Sequence, residues 1–364
     1  MPCFLPESKG AKCPQTSIFL LIFGEHSPAN NMKRILLISF SVLLVILVIV
    51  YFSGPKPSHP KFNMAFSPMD GAPVALDAYL RFKESQHKLK PNNEARIVWA
   101  DSVKRKTEYA VVYLHGFSAS QMEGDPVHRR FAKAFGANLY LSRLADHGID
   151  TTETLLNFTA DRFWNSAKDA LAMGKAIGNK VILVTCSTGG TVGLMLAAEY
   201  PDDVYALINM SPNIAINDPA AFLLNDPWGL KIARTVLGSD YREWVPDPER
   251  AKYWNSKYRI EALVQLEELV ESSMTEETFK RVKQPCLNLY YYKDEEHQDP
   301  EVKVSAMLEM HEQLGTPDSL KEAIAMPNVG AHVMGSSLTS KDVEGVYREM
   351  ERFAVEKLKM KKVE

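Results

Sequence analysis

The segment Val181 to Tyr200, VILVTCSTGGTVGLMLAAEY, narrows the choice of fold more than any other part of the chain. An aliphatic run of strand length breaks at Ser-Thr-Gly-Gly and passes straight into an apolar helical pattern. A strand this apolar, joined directly to a helix, belongs in a parallel sheet with both faces covered. The surrounding chain repeats the alternation. β-rich runs lie at Ala95 to Ala100, Tyr109 to Gly116 and Asn138 to Leu144, with helical patterns over His128 to Gly136 and Asp161 to Ile177. Later strands are predicted at Val204 to Ser211, Cys286 to Tyr292 and Glu322 to Asn328, and closing helices from about Pro300 and Lys341. The fold class is α/β, a mostly parallel central sheet with helices on both faces. Between Pro212 and Gln284 lies a helix-rich insertion carrying Trp228, Tyr241, Trp244, Tyr253, Trp254 and Tyr258, suited to cap the C-terminal edge of that sheet.

Ile35 to Phe52 is a different kind of segment, 18 residues without a charge. As a helix it is about 27 Å long, close to the hydrocarbon thickness of a bilayer. Lys33 and Arg34 precede it, and the Pro-rich flank SGPKPSHP offers no small-x-small cleavage pattern. The expectation is an uncleaved anchor with the body on the non-cytoplasmic side. Residues 1–34 form an N-terminal segment, of which Met1 to Asn31 resembles neither a targeting signal nor a domain, while Met32-Lys33-Arg34 reads as a natural signal start. Residues 53–64 read as an extended linker and 65–364 as the folded body, with the insertion at about 212–284.

With 42 basic and 45 acidic residues dispersed along 364, net charge -3, no basic block suits a phosphate backbone, and nucleic acid is not an expected partner. Four cysteines, Cys3, Cys13, Cys186 and Cys286, are too few for a disulfide scaffold. Nothing in the sequence indicates an oligomeric state.

Strand, S-x-G-G and helix together make the sequence form of a nucleophile elbow, a sharp turn that lifts one side chain above the sheet edge. Two nucleophiles compete for that place, Cys186 and Ser187. Gly189 stands two residues after Ser187, where the helix must pass close to the strand, whereas the same position for Cys186 holds the bulkier Thr188. Adjacent residues of an extended segment face opposite ways, so Ser187 is the nucleophile and Cys186 packs beneath it. Thr185 stands where G-x-S-x-G has its first glycine. Upstream, YLHGFSAS from Tyr113 to Ser120 follows a strand and offers successive backbone N–H groups for an oxyanion. Downstream, PNVGAHVMGSS sets His332 in a loop between the last strand and the last helix, the place for a general base. His115 reads as a loop-stabilising residue and His147 as part of a turn. His297, in KDEEHQD, reads as part of a solvated acidic loop; no metal and no cofactor is expected.

LHGF, SRLADHG, the CSTGG elbow, the inserted cap and the VGAHV loop together resemble the α/β-hydrolases, in particular the esterase, monoglyceride-lipase and serine-aminopeptidase-like branch, over about Glu94 to Glu356. The resemblance implies that Ser187 attacks an acyl carbonyl, that His332 carries the proton, and that an acid orients His332. It maps the oxyanion hole to the backbone N–H groups of Phe117 and Thr188. For the acid, a strand ending near Tyr292 favours Asp294, whereas DPEVKVSAM resembles the family's acid-x-x-Val step and favours Asp299. Asp299 also suits a helix N-cap before Pro300. Asp299 is the assignment and Asp294 the alternative. The implied activity is hydrolysis of carboxylic esters, lipid-derived or of short to medium acyl length. Peptide and thioester cleavage, and a non-catalytic scaffold at a membrane, are the other readings.

Overall fold

The computed structural model describes residues 28–69 and 71–363, so the expectations for residues 1–27, with Cys3 and Cys13, lie outside it. The described residues divide into two units, the first ending at Gly54 and the second beginning at Pro55. In the first, helix α1 (Pro28–Phe52) extends beyond the predicted run at its N-terminal side. Its apolar stretch Asn31–Phe52, 22 residues, is long and apolar enough to cross a membrane, and none of its side chains is buried.

The second unit begins with α2 (Pro73–Ser85), β1 (Arg96–Val98), β2 (Thr107–Leu114), α3 (Val127–Ala134), β3 (Asn138–Leu141), α4 (Ala160–Ile177), β4 (Gly178–Cys186), α5 (Thr188–Glu199) and β5 (Val204–Met210). The insertion follows with α6 (Gly229–Leu237), β6 (Tyr241–Glu243), α7 (Pro248–Ala251), β7 (Lys257–Arg259), α8 (Ile260–Ser273) and α9 (Glu276–Arg281). Then come β8 (Cys286–Tyr290), α10 (Val304–Gln313), β9 (Lys321–Ala325) and α11 (Val343–Glu356). Seven strands pair in the order β1-β3-β2-β4-β5-β8-β9, all parallel except the β1/β3 pair. β4 lies at the middle, which sets its C-terminal end, and Ser187 after it, at the centre of the sheet edge.

Alternation along the strands divides the core in two. Val112, Leu114 and Leu183 pack with residues of α4, α5, α8 and α10, whereas Val111, Tyr113, Ile182, Val184 and Cys186 pack with α3 and α11. The insertion is not helical throughout, because β6 and β7 form a small antiparallel pair. Its helix α8 belongs to the core, through Ala262, Leu266, Leu269 and Val270. Of its aromatic residues, Trp254 packs against Ala119 and Val333, and Tyr258 lies edge-on to Phe117 at 5.2 Å. The segment after Pro55 is extended but docked on the body. The N–H groups of Lys61 and Phe62 donate to the Asp161 carboxylate at 3.0 and 2.7 Å, and Lys168 donates to the Ala65 carbonyl at 2.9 Å.

Candidate active site

Ser187 stands between β4 and α5 with φ +52° and ψ -123°. A non-glycine residue held at positive φ stores about 1–3 kcal/mol, which the surrounding bonds must hold in place. Here Ser187 N–H donates to Met210 O at 3.1 Å and Ser187 O accepts from Asn213 N–H at 2.9 Å, tying the turn to the end of β5. A Cβ on Gly189 would lie 2.0 Å from the Leu114 carbonyl oxygen, so the helix crosses β2 where no side chain fits. Thr185 is fully buried and donates to Asn209 Oδ1 at 2.7 Å. It fits because the helix facing it is glycine-rich: a Cβ on Gly193 would meet Thr185 Cγ2 at 2.9 Å. The space that G-x-S-x-G clears on the strand is cleared here on the helix. Cys186 points to the opposite face, fully buried, and burial pushes its thiol pKa well up.

His332 Nδ1 donates to Asp299, at 2.8 Å to Oδ2 and 3.0 Å to Oδ1, leaving Nε2 free of that partner. The reason Asp299 reaches it lies in the loop before it. After β8 the chain turns back on itself, with Tyr292 bridged to Gln298 and Lys293 N–H donating to His297 O at 2.9 Å. Asp299 N–H then donates to Tyr291 O at 3.1 Å, so the residue sits beside the strand end despite the residues between. Asp294 is exposed and pairs with His297 Nδ1 at 2.7 Å. No helix starts at Pro300. Instead Asp299 Oδ1 accepts from Glu301 and Val302 N–H at 3.0 and 3.1 Å, and α10 begins at Val304, so one carboxylate both closes this turn and holds the imidazole. Burial opposes charging of His332, but Asp299 outweighs it and raises the ring to about 9. Burial likewise opposes the Asp299 carboxylate, and His332 outweighs it, holding its pKa below the ordinary value.

The loop from His115 to Ser120 is fixed by two buried histidines. His115 Nδ1 donates to Gly116 O at 2.9 Å and its Nε2 accepts from Leu144 N–H at 3.0 Å. His147 Nδ1 donates to Ala145 O at 2.7 Å and its Nε2 accepts from Ser118 N–H at 2.9 Å. Each pattern requires a neutral ring, and burial lowers both pKa values, His147 to about 4. Among the described residues, neither Phe117 N–H nor Thr188 N–H donates to a protein acceptor. Sequence reasoning missed Glu123, a carboxyl only 2% exposed whose Oε2 accepts from Gly116 N–H at 2.5 Å. Glu123 stands in the short turn sequence QMEGD beside a second acid, Asp125, and no periodicity there betrays its burial.

Ser187 is 9% exposed, and among the described residues no hydrogen bond joins its hydroxyl to His332. Such bonds often tighten only when substrate is present. No cluster of metal-ligating side chains occurs among the described residues.

Neither a protein-family model nor a curated protein sequence matches this chain. Solved structures do. One from work on LipS and LipT, metagenome-derived lipolytic enzymes, aligns with TM-score 0.59 at 18% identity over 73% of this chain and 98% of its own. The monoacylglycerol lipase of Paleococcus ferrophilus aligns with TM-score 0.52 at 13% identity, over 72% and 98%. A soluble variant of the monoglyceride lipase of Saccharomyces cerevisiae aligns with TM-score 0.50 at 14% identity, over 71% and 89%. At these identities the likeness is one of fold, and the fold is that of the α/β-hydrolases.

Proposed function

We propose that this α/β-hydrolase-fold chain is a serine hydrolase that cleaves carboxylic esters through an acyl-enzyme. The observation that carries the reading is the strained Ser187 elbow at the centre of the sheet edge, together with a His332 oriented by a buried Asp299. Ser187 Oγ attacks the acyl carbonyl while His332 Nε2 takes its proton, and Asp299 stabilises the imidazolium. Phe117 and Thr188 N–H, unpaired with protein acceptors among the described residues, supply donors to the oxyanion. His332 then returns the proton to the leaving alcohol, and water repeats the sequence on the acyl-enzyme. A lipid-derived or short-to-medium acyl ester is supported by the aromatic residues of the insertion, by the apolar helix and by the lipolytic enzymes that share the fold. In the same reading α1 is an uncleaved anchor, and Lys33 and Arg34, within it and just before its uncharged run Ile35 to Phe52, set the body on the non-cytoplasmic side.

A fluorophosphonate probe tests the chemistry. Wild type should be labelled, Ser187→Ala should not, and Cys186→Ala should keep most labelling and turnover. Ser187→Ala should lose on the order of 10⁴-fold or more in turnover. An unlabelled, folded wild type refutes the reading, and loss of labelling on Cys186→Ala alone would move the nucleophile to the cysteine.

A further inference from the structure

We propose, on the serine-hydrolase reading, that Glu123 is a positioning residue of this site: its carboxylate holds the Gly116 N–H, and with it the loop presenting the Phe117 donor, and its charge faces His332. The carboxyl group occupies a junction of all the elements involved. Gly116 lies between it and the serine, since a Cβ on Gly116 would be 2.8 Å from both Glu123 Oε1 and Ser187 Cβ. The bond from Gly116 N–H, at 2.5 Å, fixes the peptide immediately before the one that carries Phe117 N–H. The glutamate itself is held by a short 3-10 turn, Gln121–Gly124, whose Gly124 backbone packs on the Tyr113 ring and on Gly335 of the His332 loop. Ser337 N–H donates to Asp125 O at 3.0 Å, joining that turn to the histidine loop a second time.

The surroundings of Glu123 contain no Lys or Arg pairing with it among the described residues. The groups that face it are Tyr113 of β2, whose hydroxyl donates to Oε2 at 3.4 Å, the Cys186 thiol of β4, and His332. His128 of α3 stands behind Tyr113, ring centroids 4.6 Å apart. Of these, His332 is the group that becomes cationic when it takes the serine proton. Burial raises the Glu123 carboxyl to about 7, against the pull of Gly116 N–H and His332. The group is therefore held at an electrostatic cost that simple packing does not call for, and such groups cluster where charge develops. Its negative charge raises the His332 pKa, alongside the stronger effect of Asp299.

The full chain in detergent micelles is assayed as wild type, Glu123→Gln and Glu123→Ala, by the rate of fluorophosphonate inactivation across pH, by kcat and KM on a p-nitrophenyl ester, and by thermal midpoint. Glutamine keeps an acceptor for Gly116 N–H but no charge. It should retain kcat within about tenfold, while the acid limb of the inactivation profile moves down by about half a pH unit or more, because His332 loses an anionic neighbour. Alanine should lower kcat by about 10²-fold with KM within about twofold, as expected for a donor displaced from the transition state. A glutamine profile that superimposes on wild type, or a folded alanine variant with wild-type kcat, overturns the proposal. Where the alanine variant does not fold, the glutamine profile decides. A wild type that is not inactivated removes the serine-hydrolase reading first, and the role of Glu123 with it.

Discussion

Asp299→Asn separates orientation of the base from support of the loop. The amide oxygen of the new side chain can still accept from Glu301 and Val302 N–H, so the turn before α10 keeps its bonds. What changes is the partner of His332 Nδ1, now 2.8 Å from a carboxylate oxygen. Burial works against the imidazolium, and the carboxylate more than compensates, lifting the ring from an ordinary 6.5 to about 9. At about 1.4 kcal/mol per pH unit, that lift represents about 3 kcal/mol of imidazolium stabilisation, or about 10²-fold in rate if all of it is expressed in the transition state. An amide N–H turned toward Nδ1 also favours the wrong tautomer, which brings the expected loss in turnover to as much as about 10⁴-fold. Asp294 is exposed and paired only within its own loop, so Asp294→Asn should keep turnover within about twofold, in line with the small worth of surface ion pairs. The assay is kcat on a p-nitrophenyl ester at pH 8, with the thermal midpoint alongside. If Asp299→Asn retains more than about a tenth of turnover, or Asp294→Asn is folded and dead, the assignment fails.

Gly189→Ala sets a Cβ 2.0 Å from Leu114 O and should destabilise the chain by about 4 kcal/mol or more, seen as loss of a cooperative thermal transition; an intact transition with wild-type turnover would contradict the close crossing of α5 over β2. Glu123→Gln should gain stability relative to wild type as pH rises. The native carboxyl keeps its proton to about 7 and the unfolded one only to about 4.5, so wild type loses up to about 3 kcal/mol between those values and the variant does not. A midpoint difference that stays flat from pH 4.5 to 7.5 would show that the buried carboxyl does not titrate as described. For topology, a reporter fused after Glu364 that is active only in the cytoplasm should remain silent, and an active one reverses the orientation.

The alternation of strands and helices was legible because parallel strands buried on both faces are apolar throughout and stand out from the polar turns between them. The predicted strands all fall within the observed sheet, with ends displaced by a few residues. The choice of Ser187 over Cys186 was likewise local, since strand alternation and the space at Gly189 are properties of consecutive residues. The acid was not local. Counting from the strand end pointed to Asp294, and the family-like step pointed to Asp299. What put Asp299 beside His332 was a loop folded back upon itself, from Tyr292 to Gln298, that no count of residues could measure. Thr185 posed the same difficulty. Whether a β-branched residue fits at the elbow depends on Gly190 and Gly193, in the first and second turns of the helix, facing it across the crossing. Glu123 was invisible for the strongest form of this reason. Its isolation from water is created by Tyr113, Cys186 and the His332 loop, which lie far apart in sequence and meet only when the sheet has formed. Sequence alone determined which segments bury their side chains and which residue types could carry the chemistry, because those follow from periodicity and neighbouring residues. Tertiary structure decided which carboxylate faces the histidine and which acid is buried against it, because hydrogen bonds and desolvation depend on distance in space.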